Sequence, residues 1–347
     1  MPIRVLLVED SRISLTLLKR ILNSSPDIQV VGEARTGLEA LPLIPQLNPD
    51  VICTDLHMPQ MNGLELTSEV MATYPRPILV ISASVQEDDT HHVFQLLEAG
   101  AVDIFPKPRA GMLADDEVFK RHLIEKIHVI AGVKVLTKRR KFPVSLEPGK
   151  FHKFSSNIYA KPKIIAIGAS TGGPQALQEL FSHLPSDLSV PVICVQHICH
   201  GFLQGLIDWL SHSCTLPIEI AQHGEIPKQG IIYFPPEQKH LELDKNGKFF
   251  CHNEANIEGH RPSVTVTFNS VAKFYGRKAV GVLLTGMGRD GAKGMEALAE
   301  AGACTIAQDE ATSVIFGMPK EAIELGAARE VLPIGSIAHF LVDMLGG

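Results

Sequence analysis

Short apolar segments alternate with helical patterns along most of this chain, and this alternation restricts its fold more than any other feature. Residues 5–8 are apolar, and behind them Ile13 and Leu17 recur with helical spacing. Five such units follow one another up to about residue 130, and a second series starts near Lys163. Parallel strands need helical crossovers, so the pattern predicts two α/β domains, each with a mainly parallel sheet covered on both faces.

The length of the chain agrees with two domains. A single hydrophobic core rarely grows beyond roughly 250 residues, and this chain has 347. Between residues 133 and 162 the periodicity fades, and the sequence becomes basic and rich in turn-forming residues. We therefore predict a first domain at 1–132, an interdomain linker at 133–162 and a second domain at 163–347.

Charge and composition exclude several functional classes. The net charge of -6 gives no overall attraction to nucleic acid or to anionic lipid. No apolar run reaches the roughly 18 residues of a membrane helix, and the first residues lack the pattern of a signal peptide. The six cysteines form no C-x-x-C pair. We expect a cytoplasmic protein with free thiols, without a nucleic-acid partner and without membrane insertion.

Three carboxylates follow predicted strands at their carboxyl ends. Glu9 and Asp10 come after the first strand, and Asp55 comes after the third. Parallel strands present these ends at one edge of a sheet, so the three side chains should meet in one crevice. Clustered carboxylates repel one another unless a cation neutralises them, and Mg²⁺ prefers oxygen ligands. Two more strand-end residues, Ser82 and Lys107, could hold an added phosphoryl group.

These residues lie in segments that closely resemble the receiver domain of two-component response regulators. The segments are VEDS at 8–11, DLHMPQMNG at 55–63, SA at 82–83 and KP at 107–108. The resemblance implies a flavodoxin-like fold with a five-stranded parallel sheet, phosphorylation of Asp55 by a histidine kinase, and Mg²⁺ held by Glu9, Asp10 and Asp55. It also implies that the serine and the lysine sense the phosphoryl group. Ile104 occupies the position of the usual switching aromatic.

A glycine-rich turn follows the first predicted strand of the second half. The segment GASTGGP at 168–174 satisfies the pattern G-x-S-x-G between a strand and a helix. In that context Ser170 would lie on a nucleophile elbow, and the N–H groups that begin the helix, including that of Thr171, could stabilise an oxyanion. A loop of this kind also binds phosphate or a dinucleotide. The motif alone leaves both readings open.

A serine nucleophile needs a base and an orienting carboxylate, and strand ends supply both candidates. His197 follows the next predicted strand, and Asp290 follows a later one. The order Ser, His, Asp is acceptable because triads are recognised by geometry rather than by chain order. Cys194, Cys199 and His200 surround the histidine. A zinc site is disfavoured, because a strand alternates its side chains and no second ligand pair follows.

The second half is similar to the catalytic domain of chemotaxis protein-glutamate methylesterases. The similarity rests on the residues above together with HRPSV at 260–264 and FGMP at 316–319, and the order of receiver, linker and hydrolase matches as well. It implies a second, doubly wound hydrolase-type domain that works without a cofactor. The implied substrates are glutamate methyl esters, and certain glutamines, on the cytoplasmic domains of chemoreceptors.

The same resemblance gives each residue a role. Ser170 would be the nucleophile, His197 the general base and acid, and Asp290 the orienting carboxylate. Backbone N–H groups near Thr171 and Met287 would stabilise the oxyanion. One departure is that Ile and Cys follow the histidine where the family commonly has Met and Pro.

Regulation by phosphorylation is the last expectation. The resemblance implies that a chemotaxis histidine kinase is the phosphodonor and that the phosphorylated receiver controls the hydrolase. We expect a monomer. The alternative is a non-catalytic response regulator whose C-terminal half binds a partner or a nucleotide, and the conjunction of Ser170, His197 and Asp290 argues against it.

Overall fold

Both halves of the chain build parallel sheets from buried apolar strands. A computed structural model describes residues 1–82, 87–108, 116–135 and 159–346, with the backbone alone for 87–92. Contacts between Cα atoms divide the chain into two compact units, Met1–Val144 and Ser145–Gly347. The predicted linker at 133–162 lies mostly outside the described residues, so the predicted domain limits stay a prediction.

Strands and helices alternate in the first unit. They are β1 (Ile3–Val8), α1 (Arg12–Leu22), β2 (Ile28–Ala34), α2 (Gly37–Leu47), β3 (Val51–Thr54), α3 (Gly63–Thr73), β4 (Ile78–Ser82), α4 (Glu87–Ala99), β5 (Asp103–Pro106) and α5 (Glu117–Ala131). The five strands form one parallel sheet in the order β2-β1-β3-β4-β5. This order is that of flavodoxin-like folds, so the predicted fold of the first half is confirmed.

The start of α3 shows how the sequence brings a helix against a strand end. Asn62 caps this helix, its side chain accepting from Glu65 N while the Glu65 carboxylate accepts from Asn62 N. The next residue, Gly63, packs so closely that a Cβ there would lie 2.1 Å from the carbonyl oxygen of Asp55. Only glycine fits this approach, which holds α3 directly beside the strand end that carries Asp55.

The second unit contains a larger sheet. Its elements are β6 (Ile164–Ala169), α6 (Gly173–Ser182), β7 (Val192–Gln196), α7 (Leu203–Ser211), β8 (Ile218–Ile220), β9 (Ile232–Phe234), β10 (His240–Leu243), β11 (Phe249–His252), α8 (Val264–Tyr275), β12 (Ala279–Leu283), α9 (Ala292–Glu300), β13 (Cys304–Gln308), α10 (Met318–Glu324), β14 (Glu330–Leu332) and α11 (Ile334–Leu345). Seven strands form a parallel sheet in the order β14-β13-β12-β6-β7-β9-β8, and β10 pairs with β11 in an antiparallel hairpin.

The centre of this sheet is buried at every residue. Strands β6, β7, β12 and β13 have no exposed position, as expected for parallel strands with helices on both faces. The predicted doubly wound α/β class is therefore confirmed. The sequence analysis did not predict the short elements β8, β10, β11, β14 and α10, and it also missed α11, a mostly apolar helix of 12 residues. No helix in the described ranges is both long and apolar enough to cross a membrane.

The order of strands decides which loops meet. The chain runs from β6 to β7 on one side, but β12 returns to the other side of β6. The carboxyl ends of β12, β6 and β7 are therefore neighbours, at the kind of switch point where α/β sheets bind ligands.

Candidate active site

Ser170 follows the last residue of β6 in a tight turn. Its N–H donates to Thr285 O at 3.0 Å, and its own carbonyl accepts from Gly173 N at 2.8 Å. Gly172 has a φ of 76°, a conformation that glycine adopts without strain, and α6 begins at the next residue. Ser170 is 7% exposed. This strand, turn and helix geometry is that of a nucleophile elbow.

Gln196 ties the serine turn to the neighbouring strand end. Its Nε2 donates to Ser170 O and to His197 O, both at 2.8 Å. His197 N in turn donates to Ala169 O at 3.0 Å. The glutamine is 4% exposed. These bonds fix the backbone of the serine and of the histidine in one rigid network.

His197 and Asp290 are in direct contact. His197 Nε2 lies 2.8 Å from Asp290 Oδ2, and the side chains are 8% and 1% exposed. With Nε2 donating to the carboxylate, Nδ1 of a neutral ring carries the lone pair. That Nδ1 is buried and has no hydrogen-bond partner among the described residues. Ser170 and His197 make no mutual hydrogen bond within this set, a contact that free enzymes often complete only with substrate bound.

The carboxylate of Asp290 sits at the N-terminus of α8. Oδ1 accepts from Ser263 Oγ at 2.8 Å and from Thr265 N at 3.0 Å, and Oδ2 accepts from Val264 N at 2.8 Å. Burial tends to raise the pKa of Asp290, but its bond to His197 and its bonds to Thr265 hold that pKa below the usual range. The helix start therefore keeps this carboxylate ionised and aimed at His197.

Two loops provide the predicted oxyanion N–H groups. Thr171 follows Ser170 and is 2% exposed, and its carbonyl accepts from Thr285 Oγ1 at 3.0 Å. Met287 follows Gly286, and its N–H donates to no other group within the described part of the chain. A Cβ added to Gly286 would lie 2.7 Å from Ser170 Cβ. The loop that carries Met287 thus passes directly beside the serine.

Replacing Gly286 by Ala is expected to lower hydrolytic activity about 100-fold while the chain still folds. The new methyl group would approach Ser170 Cβ and would lie 2.3 Å from Met318 Sδ, so the serine or the loop must move. Steady-state kinetics with thermal unfolding would measure both effects. Gly335→Ala is the matched control, because a Cβ there would meet nothing closer than Glu179 Oε1 at 3.8 Å. Full activity of the Gly286 variant would contradict this view of the loop.

The acidic residues of the first unit also come together. One carboxylate oxygen from each of Glu9, Asp10 and Asp55 lies within 4.8 Å of the others. Lys107 Nζ contacts Asp55 Oδ2 at 2.6 Å and Glu9 Oε1 at 3.0 Å. Burial raises the pKa of Asp55, although Lys107 opposes the shift, and burial together with Asp55 raises the pKa of Glu9. Ser82 ends β4, is 2% exposed and accepts from Lys107 N through its carbonyl.

This cluster fits a hard divalent cation. Glu9 Oε2 is buried without a hydrogen-bond partner among the described residues. A carboxylate oxygen in that state is costly unless a cation neutralises it, and the three donors are all oxygens. The donor chemistry therefore suits Mg²⁺.

Comparisons with known proteins follow the division into two units. A family model described as response regulator receiver domain matches residues 5–115, and one described as CheB methylesterase matches residues 165–341. A protein-glutamate methylesterase/protein-glutamine glutaminase of Nitrosospira multiformis is 40% identical over 99% of this chain and 97% of that protein. The chain belongs to the CheB methylesterase family. The predicted family is thereby confirmed.

Further relatives of the CheB methylesterase family agree along the whole chain. Protein-glutamate methylesterase/protein-glutamine glutaminase 3 of Hahella chejuensis is 43% identical over 98% of both chains. The solved catalytic domain of the Thermotoga maritima CheB methylesterase is 39% identical, with a TM-score of 0.52, and it covers 53% of this chain and 100% of its own. The match to this catalytic domain also confirms the α/β class of the second half.

The methylesterase unit contains site residues that the sequence analysis missed. Gln196, Ser263 and Thr265 all bond directly to a candidate catalytic residue. Ser263 belongs to the HRPSV segment, and a helix from about this residue to Tyr275 is predicted by the sequence, but only the structure shows that the start of this helix lies beside Asp290. For Gln196 there was no signal beyond its place before His197, since a polar strand end is common.

The structure shows the surroundings of two residues that depart from the family pattern, Ile104 and Cys199. Ile104 is 8% exposed inside β5, so this site holds a buried aliphatic side chain. Cys199 is half-buried, and its carbonyl accepts from Phe202 N at 3.2 Å where α7 begins.

The other two residues considered for a zinc site lie apart in their contacts. Cys194 is fully buried within β7, while His200 Nδ1 lies 2.7 Å from Glu237 Oε2.

Proposed function

We propose that this chain hydrolyses glutamate methyl esters, and deamidates certain glutamines, on the cytoplasmic domains of chemoreceptors under the control of phosphorylation at Asp55. The observation that carries the proposal is the contact between His197 and the buried Asp290 carboxylate beside the Ser170 elbow. Full-length relatives named protein-glutamate methylesterase/protein-glutamine glutaminase support it. Binding of a nucleotide by the glycine-rich loop would not require a paired histidine and carboxylate, whereas a serine nucleophile does. A hydrolase is therefore favoured over a non-catalytic regulator.

The first half of the reaction transfers the acyl group to the enzyme. Ser170 Oγ attacks the ester carbonyl and passes its proton to His197 Nδ1, the nitrogen that does not face Asp290. The carboxylate stabilises the resulting imidazolium, and the N–H groups of Thr171 and Met287 donate to the oxyanion. The histidine then gives its proton to the leaving methoxy group, so that methanol departs and an acyl-serine remains. From a glutamine the leaving group is ammonia.

The second half restores the enzyme. Water gives a proton to His197 Nδ1 and attacks the acyl-serine carbonyl, and the histidine returns that proton to Ser170 Oγ. The product is a free glutamate side chain.

The proposal is tested by incubating the full chain with a methylated chemoreceptor fragment and measuring methanol. We expect methanol with the methylated fragment and ammonia with a fragment that carries glutamine at the same positions. Absence of both products would contradict the proposal. Added ATP or NAD should leave the melting temperature unchanged, because a tightly bound ligand would raise it and would favour the nucleotide-binding alternative.

We infer that the receiver occupies residues 1–132 and the methylesterase domain residues 163–347, with 133–162 between them. The family matches at 5–115 and 165–341 support these limits. A chemotaxis histidine kinase would supply the phosphoryl group to Asp55. Glu9, Asp10 and Asp55 would hold Mg²⁺, which supplies charge neutralisation when bound. Lys107 already contacts two of these carboxylates, and Ser82 lies at the adjacent strand end, so both can receive the phosphoryl oxygens.

Replacing Asp55 by Asn is expected to abolish labelling of the chain by a small phosphodonor in the presence of Mg²⁺. An amide oxygen is too weak a nucleophile to form the acyl phosphate. Intact-protein mass after incubation with acetyl phosphate measures the label, and the phosphodonor should no longer change the rate of methanol release. Asp27→Asn, an exposed carboxylate, serves as the control. A label that persists in the Asp55 variant would assign the site to another residue.

A further inference from the structure

The ring of His260 lies face to face on the ring of His197. The ring centroids are 3.8 Å apart, and the planes differ by 4°. His260 is half-buried and lies just ahead of Ser263, the residue that caps α8. Neither the hydrogen bonds of Asp290 nor the serine turn explains why a second imidazole covers the face of the first.

The orientation of the His197 ring needs a restraint that the hydrogen bond to Asp290 does not provide. The hydrogen bond at His197 Nε2 fixes one atom of the ring. Rotation about the Cβ–Cγ bond would still change the direction of the buried Nδ1, and it would only bend the hydrogen bond to Asp290. A flat ring in van der Waals contact with the whole face resists this rotation, because tilting either ring drives atoms into the other.

His260 is itself held by a tight turn. Ile257 N donates to His260 O at 3.1 Å, and His260 N donates to Ile257 O at 2.9 Å. Between them Glu258 and Gly259 have φ angles of 52° and 87°. Two-residue loops that join the strands of a β-hairpin commonly have such positive angles. The Glu258 carboxylate lies 3.1 Å from Arg289 Nε. This ion pair, in which the Arg289 side chain is 71% exposed, links the turn to the residue next to the catalytic carboxylate.

We propose that His260 is a positioning residue, which keeps the His197 ring in the plane that aims Nδ1 at Ser170. It donates and accepts no proton in the reaction. Its contribution comes from shape, since a flat ring restrains the base without bonding to the substrate. This inference rests on the proposed function, because it assigns to His197 the role of general base.

The test compares three variants of the full chain. His260→Leu removes the flat face, and we expect kcat for methanol release to fall about tenfold or more while KM changes less than about twofold. His260→Phe restores a flat ring without a titratable group, and we expect it to recover most of the lost kcat. His212→Leu, an exposed histidine on the same unit, is the control and should leave kcat unchanged.

Three outcomes would overturn the inference. These are an unchanged kcat in the Leu variant, a Phe variant as slow as the Leu variant, and a change confined to KM, which would indicate contact with substrate. Glu258→Gln gives a milder check if His260→Leu folds poorly, and it should lower kcat in the same direction because it loosens the turn. Ser170→Ala measured alongside separates the two hypotheses, since full activity there would contradict the triad, and its loss would leave only the role of His260 in question.

A spectroscopic signature tests the same point without substrate. The proton on His197 Nε2, bonded to a buried carboxylate, is expected to give a low-field NMR signal that disappears in His197→Ala. Loss of the stack in His260→Leu should broaden that signal, and His260→Phe should sharpen it again. An unchanged signal in the Leu variant would mean that Asp290 alone fixes the ring.

Discussion

Replacing Ser170 by Ala is expected to reduce methanol release from a methylated receptor to near background, a loss of at least about 10³-fold and up to about 10⁶-fold. The variant lacks the hydroxyl that Ser170 presents on the turn after β6, which is the proposed nucleophile. The rate of methanol release at saturating receptor measures the loss. His197→Ala should cost about as much, and the double variant little more, because triad residues act as one unit.

The control for this experiment removes a hydroxyl elsewhere on the same unit. Ser211 is exposed on α7, and its Oγ donates to Ile207 O at 2.7 Å and to no other group among the described residues. Ser211→Ala should keep full activity. Thermal unfolding of both variants should match that of the parent chain within a few degrees. Undiminished methanol release by the Ser170 variant would remove this serine from the mechanism.

Asp290→Asn is expected to lower activity by about 10⁴-fold. The carboxylate accepts hydrogen bonds from the side chains of His197 and Ser263 and from the backbone N–H groups of Val264 and Thr265. An amide offers one oxygen and a donor, so it would leave N–H groups at the start of α8 unpaired or turn its own N–H toward His197. The latter would require the other tautomer, in which Nδ1 carries a proton and cannot act as base. Kinetics of methanol release measure the loss.

The same substitution should change how stability depends on pH. The pKa of Asp290 is lower in the folded chain than the roughly 3.9 of an unfolded aspartate. A lowered pKa contributes stability that is fully present above the unfolded value and is lost as pH falls through the folded value. We expect the variant to lose about 2–4 kcal/mol of unfolding free energy near neutrality, and the difference from the parent to shrink below about pH 4.

Denaturant unfolding at several pH values provides this measurement. Asp187 is exposed, so Asp187→Asn should lower stability little at any pH. A gap between the Asp290 variant and the parent that stays constant down to strongly acidic pH would show that the carboxylate is not held ionised by its partners.

The receiver half could be predicted almost completely from its sequence. Ser82 ends a strand, and Glu9, Asp10, Asp55 and Lys107 come just after one. Parallel strands present such residues at one edge of the sheet. The structure places Lys107 within 3.0 Å of both Glu9 and Asp55, which agrees with that expectation. Their roles in phosphorylation stay predictions until the chain is labelled.

The methylesterase half was predicted less fully. The G-x-S-x-G turn can be recognised locally, because the spacing of its glycines and the pattern of the following helix both lie in one short segment of the sequence. By contrast, β8 and β14 span three residues each, too few for a period to be visible. The β10–β11 hairpin carries histidine and glutamate among its apolar residues, so it does not stand out as a strand pair.

The sequence by itself determined the α/β class, the division into two halves, and the glycine-rich turn between strand and helix that holds Ser170, because each depends on residues close together in the chain. Only the tertiary structure decided that β12 returns beside β6, which brings Asp290 to His197 across 93 positions of sequence. It also decided that His260 stacks on the base. Strand order and ring stacking are settled by packing between distant segments, and no local pattern of residues encodes them.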